Sequence, residues 1–303
     1  MVRTLSGAIR LERRMYAPWI EIRHLNCGTM CPRGGRLLGG AGGPLARHPI
    51  VAHCLLIEAR DELVLVDTGF GVADCVNPER IPAMGRRLVA PILDENETAL
   101  RQVKALGHDP NDVRHIVATH LDADHAGGLG DFPYAEVHIF GTELAFAQSG
   151  SLRSRTRYIP AQWIHDPKWV EYEPGGDSWF GFESIRLLPD LDAEIALIPL
   201  LGHSIGHCGV AVNTPDGWLL HCGDAFFYRG EIETPRHCPS ALRLFENLNN
   251  HKRRARFQNL ERLQELARDH GDEVTLICSH DPEMLAEAQA AAPTDESAGT
   301  SRS

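Results

Sequence analysis

The alternation of apolar and polar positions divides this chain into short strands separated by turns. Residues 19–25 alternate in the way typical of a strand with one buried face. Residues 50–58 and 63–66 are more continuously apolar, and residues 59–62 between them predict a hairpin turn. Comparable runs predict further strands at residues 115–119, 135–140, 192–199, 208–213, 218–221 and 273–278.

Helical periods lie between these strands. Residues 97–106 place Leu100, Val103 and Leu106 on one face, and Gly107 follows as a natural end. Further helices are predicted at residues 142–148, capped by Thr142, over most of residues 240–270, and from Pro282 onwards. Because strands and helices alternate, the pattern indicates a layered α/β fold.

The densest group of potential metal ligands lies at residues 118–128, where a buried strand meets two glycines. Four ligand-type side chains fall close together there: His120, Asp122, Asp124 and His125. Imidazole and carboxylate are suitable ligands for divalent ions, and loops held by a rigid strand are common places for sites. The alternative interpretation is a solvated acidic turn with two incidental histidines.

This cluster resembles the H-x-H-x-D-H metal signature of the metallo-β-lactamase-fold hydrolases, with Asp122 in place of the second histidine. That family takes a further histidine from a G-H-x-x-G-H turn, an aspartate after a later strand and a last histidine near the end of the domain. In this sequence those positions are His203, Asp224 and His280. The resemblance implies an αββα sandwich over residues 19–289, in which two mixed sheets pack back to back with helices on the outer faces.

The resemblance also implies a centre of two divalent metal ions, with zinc foremost and manganese or iron as alternatives. Seven residues would hold them: His120, Asp122 and His203 at the first ion, Asp124, His125 and His280 at the second, and Asp224 bridging the two. A hydroxide bridging the ions would attack an acyl carbon. The candidate catalytic residues are Asp124, Asp224 and Tyr228, and Tyr228 lies one residue beyond the position of a pocket tyrosine in the family's acyl-homoserine-lactone lactonases.

Asp122 changes the expected charge of the centre. A third carboxylate, added to Asp124 and Asp224, makes the metals weaker Lewis acids and favours harder ions such as Mn²⁺ or Fe²⁺ over Zn²⁺. Its side chain is shorter than that of histidine, so it could reach its ion through a water. Nearby, His207 is either a residue that orients a ligand or a core histidine, and Asp67 is expected to be a structural hydrogen-bonding residue.

Composition and net charge indicate which kinds of molecule the protein binds. The chain has 303 residues, of which 43% are hydrophobic and 23% charged, and its net charge of -11 favours a small-molecule substrate over nucleic acid or a membrane surface. No apolar run approaches the roughly 18 residues that span a bilayer, and no signal-peptide core is apparent. The eight cysteines, several of them in apolar runs, indicate a reduced cytoplasmic protein.

The segments between the predicted elements differ in composition. Residues 1–18 are expected to form an N-terminal extension, and residues 290–303 a disordered tail. Residues 28–49 are rich in glycine and predict a loop at the mouth of the site, or a plain surface loop. Residues 75–93 read as an irregular connection, and the arginines and aromatic residues of 150–180 predict either a pocket wall or a homodimer contact.

The sequence therefore predicts a metal-dependent hydrolase of a small-molecule ester, lactone, thioester or amide, with lactonase-like activity favoured. Two alternatives stay open. One is a mononuclear iron oxygenase or redox enzyme of the same fold, such as a persulfide dioxygenase, and the other is a non-catalytic metal-bound sensor that keeps a weakened site.

Overall fold

In a computed structural model of the chain, two six-stranded sheets pack against each other. The structure describes residues 20–39, 42–59, 62–189, 191 and 193–291. The predicted N-terminal extension and most of the predicted tail lie outside these residues. The first sheet contains Ile20–Met30 (β1), Ile50–Ala59 (β2), Glu62–Val66 (β3), Val113–Val117 (β4), Glu136–Phe140 (β5) and Lys168–Tyr172 (β6). The second contains Asp177–Trp179 (β7), Phe182–Leu187 (β8), Ile195–Pro199 (β9), Cys208–Thr214 (β10), Gly217–His221 (β11) and Val274–Ile277 (β12).

Both sheets are mixed. In the first, neighbours follow the chain order, and strands β3 to β6 are parallel while β1, β2 and β3 pair antiparallel. In the second, β11 and β12 are parallel, and the strands from β7 to β11 pair antiparallel along the sheet. The predicted hairpins β2–β3 and β10–β11 are confirmed.

Helices fill the connections. They are Arg36–Gly39 (α1), Val72–Val76 (α2), Ala83–Val89 (α3), Ala99–Ala105 (α4), Ala123–Ala126 (α5), Gly141–Gln148 (α6), Leu152–Arg157 (α7), Ser240–Asn249 (α8), Arg253–His270 (α9) and Pro282–Ala291 (α10). Short 3₁₀ turns occur at Pro78–Arg80, Glu95–Glu97, Pro110–Asp112, Leu129–Asp131, Pro160–Trp163 and Arg229–Glu231. None of the helices in the described ranges is long and apolar enough to cross a membrane.

Three apolar clusters define the layers. The middle cluster lies between the sheets and joins residues such as Val66 of the first sheet to Leu197 of the second. An outer cluster packs helices α4 and α6 on the first sheet. On the outer face of the second sheet, helix α9 buries a stripe formed by Leu260, Leu263 and Leu266. This order of layers confirms the αββα sandwich.

Some local predictions were wrong. Strand β1 continues to Met30 through an irregularity between Asn26 and Thr29, so the predicted glycine-rich loop begins later. Residues 75–93 are largely helical, because their prolines open helical turns rather than interrupt them: Pro78 begins a 3₁₀ turn and Pro82 is the N-cap of α3.

Two helix ends also differ from the prediction. Thr142 does not cap helix α6, which begins at Gly141 with Phe140 at its N-cap. Helix α10 continues to Ala291, so the first residues of the predicted tail are helical.

Candidate metal centre

The predicted ligands lie on four connections at one edge of the sandwich. Residues 120–125 follow β4 and include the start of α5, and His203 lies on the turn between β9 and β10. Asp224 follows β11, and His280 follows β12. The strands are rigid and buried, so they fix the positions of the short connections that follow them.

The structure gathers these residues into two groups whose ligand atoms lie within 4.8 Å of one another: His120, His203 and Asp224 in the first, and Asp124, His125 and His280 in the second. Asp224 lies between the groups. Its Oδ2 is 3.2 Å from His203 Nε2 and 3.8 Å from His120 Nε2. Its Oδ1 is 3.3 Å from His125 Nε2 and 3.1 Å from His280 Nε2.

Buried atoms without hydrogen-bond partners mark the centre of both groups. They are His120 Nε2, His125 Nε2 and Asp224 Oδ1. Buried polar atoms are normally paired, and imidazole nitrogens that converge on a carboxylate are a donor set suited to a borderline divalent cation. The residues present therefore fit a pair of divalent metal ions.

Three of the histidines are held from behind at Nδ1, which leaves Nε2 directed at the centre. The partners are Thr119 Oγ1 for His120 at 3.0 Å, Asp67 Oδ2 for His125 at 2.8 Å, and Val51 O for His280 at 2.7 Å. Such partners fix the orientation of a metal-binding imidazole.

Asp67 has the structural role that its place in a turn suggests. Its Oδ1 accepts from Thr119 N at 2.8 Å, and its Oδ2 accepts from Thr119 Oγ1 at 2.7 Å. The same carboxylate contacts His125, so it ties the start of the ligand loop to α5. Its φ of 56° is in the left-handed region, where aspartate is among the better-tolerated residues.

His207 lies behind Asp224. Its Nδ1 donates to Leu200 O at 2.9 Å, which leaves Nε2 to accept from the Asp224 backbone N–H at 2.8 Å. Of the two roles that the sequence left open, this geometry is that of an orienting residue: it positions the backbone of Asp224.

The turn that carries His203 is pressed against the start of helix α9. His251 N donates to His203 O at 2.8 Å, and Lys252 N donates to Gly202 O at 2.9 Å. A Cβ at Gly202, where φ is +140°, would lie 2.3 Å from Arg256 N. Only glycine fits this approach, so the glycine of the G-H-x-x-G-H turn serves the position of the following histidine.

Glu143 of helix α6 is a site residue that sequence reasoning missed. Its Oε1 accepts from Leu121 N at 3.2 Å and from Tyr158 Oη at 2.8 Å. Its Oε2 accepts from Ser204 Oγ at 2.7 Å and from Gly206 N at 2.9 Å. The buried carboxylate thus joins the two ligand-bearing loops, a role that no local motif signals.

Asp122 reaches the first group. Its Oδ2 lies 3.0 Å from His203 Nε2 and 3.3 Å from His120 Nε2. Arg157, which was not among the predicted site residues, binds it through two nitrogens. Burial opposes ionisation of this carboxyl, but Arg157 and His120 hold the pKa of Asp122 well below its usual range.

Burial and nearby charges shift the pKa values of the imidazoles in the centre in opposite directions. Burial lowers the pKa of His203 to about 3, so its imidazole is neutral and can offer a lone pair. Burial also lowers the pKa of His125, but Asp224 and Asp67 outweigh it and raise that pKa well above the usual value. Burial disfavours the charged form of Asp224, yet His280 and His125 hold its pKa well below the ordinary range. The ionised carboxylates therefore give the centre negative charge, which a divalent cation would neutralise.

A cavity of about 350 Å³ opens over the centre. Asp122, Asp124 and Asp224 lie in its wall, together with His203 and His280. Its apolar wall is formed by Phe70, Ile81, Val89, Phe227, Phe245 and Leu248. The volume suits a small molecule with one polar end and one apolar end.

Helix α7, in the 150–180 segment, also lines this cavity through Arg153, Thr156 and Arg157. The pocket-wall alternative therefore describes this part of the segment. The homodimer contact stays a prediction.

Tyr228 is placed differently from the other predicted residues. It lines a separate cavity of about 30 Å³, together with Leu38, His48 and His280, and its ring packs edge-on against His237. Leu38 and His48 belong to the predicted glycine-rich loop, which therefore does border the site at His280. Tyr228 therefore lies near His280 of the second group and is not among the residues that line the larger cavity.

Comparison with known proteins agrees with this geometry. Residues 49–140 match the family described as the metallo-beta-lactamase superfamily. A probable metallo-hydrolase of Mycobacterium tuberculosis is 42% identical over 268 residues, which cover 88% of this chain and 82% of that protein. The chain belongs to the metallo-β-lactamase superfamily. The name of this relative supports hydrolase chemistry for the chain.

More distant members of the superfamily include lactonases. The N-acyl homoserine lactonase AttM of Agrobacterium fabrum is 26% identical over 198 residues, or 65% of this chain and 68% of that protein. A solved structure of a Bacillus thuringiensis AiiA variant with N-decanoyl-L-homoserine bound has a TM-score of 0.66 at 20% identity, covering 89% of this chain and 96% of that one. The structural likeness confirms the fold.

Proposed function

We propose that this superfamily member hydrolyses an ester or lactone bond in a small molecule at a centre of two divalent ions, with zinc as the first candidate. The observation that carries the proposal is the position of Asp224, whose two carboxylate oxygens face imidazoles of both groups. Bound there, a pair of ions would supply a nucleophile at neutral pH and stabilise the charge that develops on the substrate oxygen.

The protein residues would act by holding and orienting. His120, Asp122 and His203 would hold one ion, and Asp124, His125 and His280 would hold the other, with Asp224 between the two groups. His207 fixes Asp224 through its backbone N–H, and Asp67 fixes His125. These contacts set the geometry before substrate arrives, which favours the transition state over the free substrate.

The cavity supports a substrate with an apolar acyl part. The carbonyl end would face the ligand groups, and the acyl part would lie along the wall that contains Phe70, Phe227 and Phe245. The distant relatives named as lactonases favour a lactone among the possible acyl compounds. Thioesters and amides remain the comparison substrates.

The two complete groups of ligand-type residues favour a dinuclear hydrolase over a mononuclear iron redox enzyme. They also argue against a sensor with a dismantled site, because Asp122 lies among the ligand atoms of the first group.

The test begins with protein purified without added metal, whose ions are counted by elemental analysis. Zn²⁺, Mn²⁺ or Fe²⁺ is then added back, and hydrolysis of lactones, aryl esters and thioesters is measured. We expect two ions per chain and turnover of at least one lactone or ester, both lost in Asp224→Ala. Asp269→Ala, at an exposed site on helix α9, is the matched control and should keep both. Absence of turnover with every metal and substrate would contradict the proposal.

A further inference from the structure

Asp122, which stands in place of a histidine in the metal signature, is bound by an arginine. Arg157, the last residue of helix α7, contacts Asp122 through both edges of its guanidinium: Nε lies 2.6 Å from Oδ1, and Nη2 lies 2.6 Å from Oδ2. Two parallel charge-assisted hydrogen bonds of this kind fix the plane of a carboxylate as well as its position.

Arg157 is itself held in place. Its Nη1 donates to His203 O at 3.0 Å and to Asn249 O at 2.8 Å, and its side chain is only 16% exposed. The guanidinium therefore touches both Asp122 and the backbone of His203, which are two of the three candidate ligands on one side of Asp224. A side chain anchored at this many points is rigid, so the carboxylate that it binds is rigid as well.

Arg157 also changes the charge of the centre. With histidine at position 122, the ligands would contribute two carboxylates, those of Asp124 and Asp224. Asp122 adds a third negative charge, and the permanently protonated guanidinium of Arg157 cancels it. The weaker Lewis acidity predicted from Asp122 alone therefore does not follow, because that prediction left out the arginine.

We propose that Asp122 and Arg157 together replace the second histidine of the signature as a neutral ligand unit. Asp122 would be the ligand to the first ion, and Arg157 is the positioning residue that orients the carboxylate and cancels its charge. Oδ2 accepts from Arg157 Nη2 and lies 3.0 Å from His203 Nε2 and 3.3 Å from His120 Nε2. With the two imidazole nitrogens unprotonated, as metal binding requires, this oxygen would keep a lone pair for the ion. The inference rests on the dinuclear centre proposed above.

The alternative is that Asp122 serves only to anchor helix α7 through an ion pair. The two roles differ in what happens when histidine is restored. If Asp122 and Arg157 form one unit, Asp122→His alone leaves Arg157 as an unpaired cation beside the ion, and metal binding is weakened. Asp122→His combined with Arg157→Gln removes that charge and restores a neutral ligand.

The experiment is a double-mutant cycle on the full chain, with Zn²⁺ as the probe. Ions per chain are counted by elemental analysis, and dissociation constants are measured by competition with a chelator. We expect Arg157→Gln to weaken one of the two ions by roughly 10- to 100-fold, the range for losing a partner that orients a ligand. Asp122→His alone should weaken the same ion, and the double variant should return it to near the wild-type affinity.

Two further variants serve as controls. Arg157→Lys keeps the charge without the two-pronged contact and should fall between wild type and Arg157→Gln. Arg153→Gln removes an arginine from the same helix and the same cavity wall, but Arg153 donates to His251 O rather than to a candidate ligand, so metal affinity should not change. Thermal unfolding of each metal-free variant establishes that it is folded.

Unchanged binding of both ions in Arg157→Gln would overturn the proposal, as would wild-type affinity in Asp122→His alone. A wild-type chain that binds fewer than two ions would overturn both this proposal and the dinuclear centre. If the metal cycle gives the expected result while no substrate is hydrolysed, the proposed activity fails and the Asp122–Arg157 unit stands.

Discussion

Arg157 and Arg256 both bind carboxylates inside this protein, but their surroundings differ. Arg256 Nη2 lies 3.0 Å from Glu231 Oε1 and 2.7 Å from Glu246 Oε1, and its side chain is 1% exposed. It lies within the packing of helices α8 and α9, away from the cavity. Arg157 pairs with a single carboxylate at the cavity wall, and one oxygen of that carboxylate also faces imidazole nitrogens.

The difference lies in how each cluster balances its charge. Around Arg256, two carboxylates share one cation, and burial together with Glu231 raises the pKa of Glu246 well above its ordinary value, which favours its protonated form. Around Arg157 the pair is already neutral, and the surplus carboxylate is Asp224, which lies beside unpartnered imidazole nitrogens. The two clusters therefore differ in their ligand chemistry: Arg256 is paired with two carboxylates, whereas Asp224 is surrounded by imidazole nitrogens, which are typical ligands of a divalent cation.

The largest expected effect comes from removing the structural arginine. Arg256→Leu leaves two buried carboxylates without a cation, and it should lower the free energy of unfolding by about 3–5 kcal/mol. Urea unfolding of the metal-free protein measures this change. Metal content at low temperature should stay at the wild-type value. Loss of metal without loss of stability would remove the distinction between the two clusters.

A smaller effect is expected at Glu143, a buried carboxylate that has four hydrogen-bond donors in place of an arginine. Glu143→Gln turns one acceptor into a donor that faces other donors, and it should cost about 1–3 kcal/mol. Because Glu143 joins the two ligand loops, Zn²⁺ affinity should fall with stability. Unfolding and chelator competition on the same samples test this, and an unchanged affinity would show that the loops are positioned without it.

The smallest effect is expected for Glu246→Gln, which mimics the protonated carboxyl. Below the ordinary pKa of 4.5, where the carboxyl is protonated in the folded and the unfolded chain, its stability should differ from wild type by less than about 1 kcal/mol. The raised pKa of Glu246 means that its contribution to stability is complete below its ordinary pKa of 4.5 and is lost as the pH rises through the raised value. Wild-type stability should therefore decline toward alkaline pH more steeply than that of the variant. Parallel pH slopes in urea unfolding would contradict the assigned proton.

Much of the fold and the ligand set could be predicted because the information is local. Apolar runs predict strands, and ligand-type residues directly after them, such as His120 and Asp224, are delivered to the edge where the strands end. The geometry gathers the predicted ligands, including Asp122.

Arg157 and Glu143, which the sequence did not predict as site residues, contact residues that are far from them in the sequence. Arg157 lies 35 positions from Asp122, and Glu143 contacts Ser204 from 61 positions away. Such pairings depend on how helices α6 and α7 pack, which a single sequence does not encode in any spacing. Tyr228 shows the converse: its sequence distance from Asp224 is short, yet the 3₁₀ turn that follows it directs it to a neighbouring cavity.

The position of the candidate ligands on both sheets has a consequence for assembly. His120 follows a strand of the first sheet, while Asp224 and His280 follow strands of the second, so ions bound between them would cross-link the two halves of the sandwich. Such a cross-link closes only after both halves have folded and met, and it would then oppose their separation through mass action. Metal binding would therefore stabilise only the chain in which both sheets have folded and packed together.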